Sequence, residues 1–181
     1  MSEALLREVA VKQKYIQFHE MTGVKHIEAI RSYLDYMEEH LFNIRKAFEE
    51  VSDACDGMPW VGDDCTWWSF RDEVINHDLS KFSSAEFIPY VEAFFPVDGE
   101  DKKPLGEAWE HHKQHNHHHW ETAEHHMDVV HMVIDWTAMS YKFGGTAKEY
   151  YEENAESIKL DEDNVRFMYS IFEAIEKGRG E

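Results

Sequence analysis

The chain has 181 residues, with 37 Asp and Glu against 18 Lys and Arg, giving a formal net charge of −19 at pH 7. Neutralising phosphates takes clustered Lys and Arg, so this balance excludes a basic binder of duplex or other polymeric nucleic acid. The absence of any run of about 18 apolar residues excludes a helical membrane span. Hydrophobic residues at 43% and aromatics at 14% are enough for one globular domain with a substantial core.

In chain order, the opening MSEALLREVAVKQKYIQF is amphipathic and charged throughout, which does not read as a secretory signal. Ile27, Ile30, Leu34, Met37, Leu41, Ile44 and Phe48 recur at three- and four-residue steps, the stripe of a long helix. Residues 51–66 carry two Gly, one Pro and four Asp and read as a loop. Cys55 and Cys65, ten apart within it, read as reduced structural thiols of a cytoplasmic protein, because two cysteines at that spacing make neither a disulfide framework nor a zinc knuckle. A helix is expected from about Trp67 to Asn76. Ser83 and Glu86 have capping-box spacing, opening a short helix that Pro89 bends or shortens. After a polar loop over 96–104, helical spacing resumes at Leu105. Residues 127–143 read as a buried helix stopped by Gly144–Gly145, Thr146 and Glu149 repeat the capping pattern, and a last helix spans about 163–176. The fold class that follows is all-α: one helical bundle domain of seven or eight helices.

The abnormal number is 13 histidines, nine of them between His111 and His131. His40 borders the stripe of the long helix, where a hydrogen-bonded boundary residue is the bland alternative to a ligand. His77 and Asp78 end the next helix, where adjacent side chains can turn to one point. If AWEHHKQHNHHHW (108–120) is helical, His111, His115 and His118 share one face and His112 and His119 a neighbouring one; a surface tract is the alternative. Asp135 lies among Val133, Ile134, Trp136 and Met139, where a carboxylate is costly unless paired or metal-bound. Together these positions supply imidazole and carboxylate donors from four helices, a mixed set suited to one or two divalent ions (Mn, Fe, Zn, Ni or Co, and Mg at its carboxylate-rich end).

The order His40, His77-Asp78, His111/His112 and Asp135 resembles the HD-domain superfamily of all-α metal-dependent phosphohydrolases, and HDLSKF is similar to its His-Asp-x-x-Lys segment. HDLSKFSSAEFIPYVEAFF, AWEHHKQHNHHHW and MVIDWTAMSYKFG resemble an uncharacterised family of small phage and bacterial HD-like proteins over residues 26–160. Two positions depart from that family's pattern: His117 replaces a proline, and His131 an acidic residue. The resemblance implies that His40, His77, Asp78 and Asp135 hold a first metal ion and that Asp78 is free to bridge to a second. His111, His112 and His118 are candidates to complete the second site, and spacing leaves open which member of 111/112 and of 118/119 points inward.

The implied reaction is attack of a metal-activated water on the phosphorus of a small phosphate ester, most naturally a (deoxy)nucleotide. Asp78, Lys81 and His118 would stand nearest the chemistry, with Lys81 neutralising a phosphate or else lying solvated. Trp120, Trp136 and Tyr141 are candidates to stack on a base or to pack in the core. The net charge is no bar, since it is screened beyond about 8 Å and divalent ions reverse its sign locally. The expected partner is thus a small phosphorylated molecule, with no membrane and no duplex nucleic acid. The location is the cytoplasm, that of a bacterial host if the chain is phage-encoded, and the oligomeric state is open, a homodimer included. Two other classes compete: an HD-fold di-iron oxygenase, which would need iron and consume oxygen, and an acidic non-enzymatic decoy or interaction protein, which would ignore chelators.

Overall fold

The structure, a computed structural model, describes residues 3–58, 64–97 and 101–180, with side chains at 7, 23–58, 66–97 and 101–180. Every regular element among them is helical: α1 (Glu3–Ala54), α2 (Asp64–Ile75), a 3₁₀ turn (Leu79–Phe82), α3 (Phe87–Phe94), α4 (Glu107–His115), α5 (His126–Phe143), α6 (Ala147–Asn154) and α7 (Glu162–Arg179). The expected all-α bundle is what forms, and no described helix is long and apolar enough to cross a membrane.

The long helix extends further than its apolar pattern suggests. α1 is continuous from the amphipathic opening to Ala54, so the first residues read as loop, 51–54, are its last turn. Val51 is wholly buried there, and the chain turns only at Cys55–Met58, where Asp56, Gly57 and Met58 take positive φ. Residues 59–63 and the side chain of Cys65 lie outside the described residues, while Cys55 is a free, buried thiol. The buried stripe of α1 is Tyr33, Met37, His40, Ile44, Ala47, Phe48 and Val51, with Ile27 and Leu34 exposed beside it. His40 therefore occupies a core position of the stripe rather than its border.

Two apolar clusters flank that histidine. A large one joins Ile44, Ala47, Phe48 and Val51 of α1 to Phe70 and Val74 of α2, Val129, Val130, Met132, Val133 and Ile134 of α5 and Met168, Ile171, Phe172 and Ile175 of α7. A small one joins Tyr33 and Met37 to Tyr90 and Val91 of α3 and Ala108 of α4. The stripe passes from one to the other at His40, so an imidazole stands at the seam. Helix ends are set locally. Thr146 Oγ1 accepts the Glu149 N–H at 3.1 Å, as the capping pattern predicts. Gly144, at φ 83°, ends α5. α7 runs three residues past its expected end, to Arg179.

Ser83 and Glu86 are different. Glu86 is itself the residue preceding α3, and its side chain makes no cap bond but turns into the interior, wholly buried. Pro89 neither bends nor shortens α3, because it falls in the first turn, where a missing N–H costs nothing.

Candidate metal centre

Each inward-facing donor is placed by its own helix. His77 and Asp78 follow the end of α2, and Asp78 takes a left-handed conformation (φ 60°, ψ 15°) before the 3₁₀ turn. A non-glycine residue accepts that region at a cost, Asp and Asn most readily. The kink lets two adjacent side chains face one point instead of diverging along a helix. α5 carries Asp135 one turn past His131. α4 ends at His115, not near residue 120, because Asn116 turns extended and its Nδ2 donates to the His112 carbonyl at 2.8 Å. His118 therefore reaches the interior from a loop, and a shared helical face with His111 and His115 does not exist.

Six of the seven residues expected as ligands converge. His40 Nε2 lies 3.5 Å from Asp78 Oδ2 and 3.5 Å from Asp135 Oδ1. His77 Nε2 lies 3.2 Å and 3.6 Å from the same two oxygens. On the other oxygen of Asp78, Oδ1, stand His112 Nε2 at 3.2 Å and His118 Nε2 at 3.5 Å. His119, beside them, belongs to a group with His112 and His118 whose ligand atoms lie within 4.8 Å of one another. Of the adjacent pairs, 112 rather than 111 is buried, and both 118 and 119 turn inward.

His111 is the exception. Neighbours on a helix diverge by about 100°, and with His112 inward, His111 is one-third exposed, stacked on His115 at 4.1 Å. Its Nδ1 meets Glu86 Oε1 at 2.6 Å while Glu86 Oε2 holds His112 Nδ1 at 2.9 Å. His111 thus supports the centre through a carboxylate and does not enter it. Trp120 packs against the large core and Tyr141 donates its hydroxyl to Glu50, so neither is at the site, whereas Trp136 is. Lys81 forms an ion pair with Asp78 Oδ2 and lies 5.1 Å above the Tyr90 ring, so its place is beside the carboxylate and not in open solvent.

The fit to a cation follows from what these atoms lack. His77 Nε2, Asp78 Oδ1, His112 Nε2, His118 Nε2, His119 Nε2 and Asp135 Oδ1 are buried without a hydrogen-bond partner. His112 is held between two carboxylates, its Nδ1 2.9 Å from Glu86 Oε2 and its Nε2 3.2 Å from Asp78 Oδ1, and an Nδ1–H donated to Glu86 leaves Nε2 as a lone pair facing the bare Asp78 oxygen. Two lone pairs at that range repel unless a cation joins them. Ligands about 2.1 Å from one ion stand roughly 3.0–3.4 Å apart at right or tetrahedral angles, close to the spacings observed. Burial pushes the pKa of His118 well down, aided by His77, and that of His119 to about 3, aided by His112. Burial likewise lowers His77. All three stay neutral, the form that binds metal. Burial alone would raise Asp78, but the Lys81 ammonium paired with its Oδ2 outweighs it and holds the carboxyl well below its usual range.

Sequence reasoning missed the outer supports. Glu86 is joined by Ser80, whose Oγ donates to Oε2 at 3.1 Å and accepts from Asn116 Nδ2 at 2.8 Å. On the other side His77 Nδ1 meets His131 Nε2 at 3.0 Å, and His131 Nδ1 lies 3.6 Å from Glu73 Oε1. His131 thus orients His77, and Glu73 sits behind it. The S-x-x-E spelling concealed Glu86, since it signals a helix cap equally well. Glu86→Gln is expected to weaken metal affinity about 10- to 100-fold, as loss of an orienting carboxylate does, while metal titration shows the number of sites unchanged.

The arrangement is a buried imidazole–carboxylate cluster in an all-helical frame, a group of residues able to hold metal. The chain belongs to the DUF5662 family, a family of unknown function whose profile matches residues 15–177. No curated protein and no solved structure matches it.

Proposed function

We propose that this protein is a metal-dependent phosphohydrolase of the HD type, acting on a small phosphate ester, with nucleotides as the natural class to test. The observation that carries the reading is the Asp78 carboxylate, which turns one oxygen to His40 and His77 and the other to His112 and His118. His40, His77, Asp78 and Asp135 would hold one ion, and Asp78, His112, His118 and His119 a second. The imidazole content favours Mn, Fe, Zn, Ni or Co over Mg. When bound, such ions supply Lewis acidity, bringing deprotonation of water near neutral pH and offsetting charge on phosphoryl oxygens.

The chain's own residues do the rest. Lys81, already beside Asp78, is placed to pair with a phosphate oxygen. His118, kept neutral by burial, places its Nε2 3.5 Å from Asp78 Oδ1, where it can serve as a ligand. Glu86 and His131 hold His112 and His77 in orientation before any ion binds. In the reaction a water oxygen bonds to phosphorus, the ester P–O bond breaks, and a proton from water ends on the departing alcohol. The products are inorganic phosphate and that alcohol.

The test is elemental analysis of the purified protein followed by a phosphate-release screen with each ion. Release is expected to need one of these ions, to cease with a chelator and to return on adding the ion back. Release indifferent to chelation would end the reading. A second reading rests on the histidine-rich half, where His112, His118 and His119 gather. It favours an iron oxygenase, which would consume oxygen with iron alone and release no phosphate.

A further inference from the structure

A cavity of about 420 Å³ opens directly beside the cluster. His119 and Asp135 line it on the side of the centre, and Trp109, Trp136, Phe143 and Tyr150 line the rest together with smaller residues. The rings come from three helices and meet only through the fold: Trp136 lies 5.2 Å from Tyr150 and stacks on Tyr151 at 6.2 Å, which ties that wall to the core. Phe143 and Tyr150 are the more open part of this wall, 66% and 48% exposed. Large exposed rings around a cavity that ends on two candidate ligands are a surface for a flat, apolar group.

The charge on this cavity is as informative as its shape. No lysine or arginine stands among the described residues that line it, and its charged member is the Asp135 carboxylate. Lys113, 5.6 Å from the Trp109 ring, is paired with Glu110 at 3.0 Å. One phosphoryl group can be met at the cluster by the ions and Lys81. A second or third would extend into a space walled by rings and one acid, on a chain of charge −19, with no cation to meet it.

We infer that this cavity receives an uncharged planar ring carried by a singly phosphorylated substrate, and that its walls exclude di- and triphosphates. The inference rests on the hydrolase reading for the place of the phosphate, and on the cavity alone for the ring. Such chemistry has two sources: a ring borne on a sugar, as in a nucleoside monophosphate, or a ring esterified directly, as in an aryl phosphate.

The test is calorimetric binding to the manganese-loaded protein with adenosine 5′-monophosphate, adenosine 5′-triphosphate, phenyl phosphate and ribose 5-phosphate. At least one ring-bearing monophosphate is expected to bind about tenfold more tightly than ribose 5-phosphate, the scale of one base–aromatic stack. Whether the nucleotide or phenyl phosphate binds better identifies the source. The triphosphate should bind more weakly than the monophosphate. Phe143→Ala and Tyr150→Ala, exposed enough to leave the fold intact, should each weaken the ring-bearing ligand several-fold and leave ribose 5-phosphate unchanged. Ribose 5-phosphate binding equally well, the triphosphate binding best, or ring binding untouched in both variants would each overturn the inference. Ring-dependent binding without phosphate release under any ion sinks the hydrolase reading and leaves this inference standing. Ribose 5-phosphate hydrolysed as fast as the nucleotide does the reverse.

Discussion

Asp78→Asn is expected to remove metal from both halves of the cluster at once. Asparagine keeps the side-chain shape and accepts the left-handed backbone at φ 60°, so the turn between α2 and the 3₁₀ segment survives. What disappears is the anionic oxygen that each set of imidazoles faces, Oδ2 toward His40 and His77 and Oδ1 toward His112 and His118. Loss of an outer-shell carboxylate costs metal affinity about 10- to 100-fold, and loss of a shared inner one should exceed that range. Elemental analysis after dialysis should therefore find little metal at either site, and phosphate release should fall by more than about a hundredfold. Lys81 loses its partner but is partly exposed and can turn to water, so circular dichroism should stay that of a helical protein. A variant that retains one full equivalent of ion would mean that the two sets are independent and that Asp78 does not join them.

The framework and much of the site were legible because both rest on short-range rules. A helical period carried α1 and α5, and Asp135 stood out as a polar residue inside an apolar run, whereas His40, which reads as a border residue of its stripe, lies within it. The His77-Asp78 pair at a helix end offered the right geometry, and the structure supplies its cause in the left-handed Asp78. What stayed hidden depends on distant partners. The choice of His112 over His111 follows from the rotation of α4 against Glu86, which is 26 residues away in sequence. His118 and His119 face inward because Asn116 halts α4, and a tract of histidines carries no signal of where its helix stops. His131 reaches His77 across 54 residues, and the ring-lined cavity combines α4, α5 and α6. No local pattern encodes such meetings.

The second large effect is an inversion of stability. Asp135 and Asp78 both approach His40 Nε2 at 3.5 Å, so their nearer oxygens are at most about 7 Å apart, facing imidazoles of which His77 is held neutral by burial. Two carboxylates at that range repel by roughly 2 kcal/mol at an effective dielectric of 20. Lys81 and the partial exposure of Asp135 reduce this to about 1 kcal/mol. Asp135→Asn removes the repulsion, so the metal-free variant should melt about 2–4 °C above the metal-free wild type, the shift expected per kcal/mol at this chain length. With ion present the order should reverse. Saturation to a hundred times Kd stabilises the wild type by about 2.7 kcal/mol per site, and the variant forfeits most of that at the site it shares with His40 and His77. Scanning calorimetry with chelator and with excess ion reads both halves of the prediction. A variant that melts lower under both conditions would make Asp135 a structural acid, whereas a crossing of the two curves marks a residue kept for the ion at the expense of the bare fold.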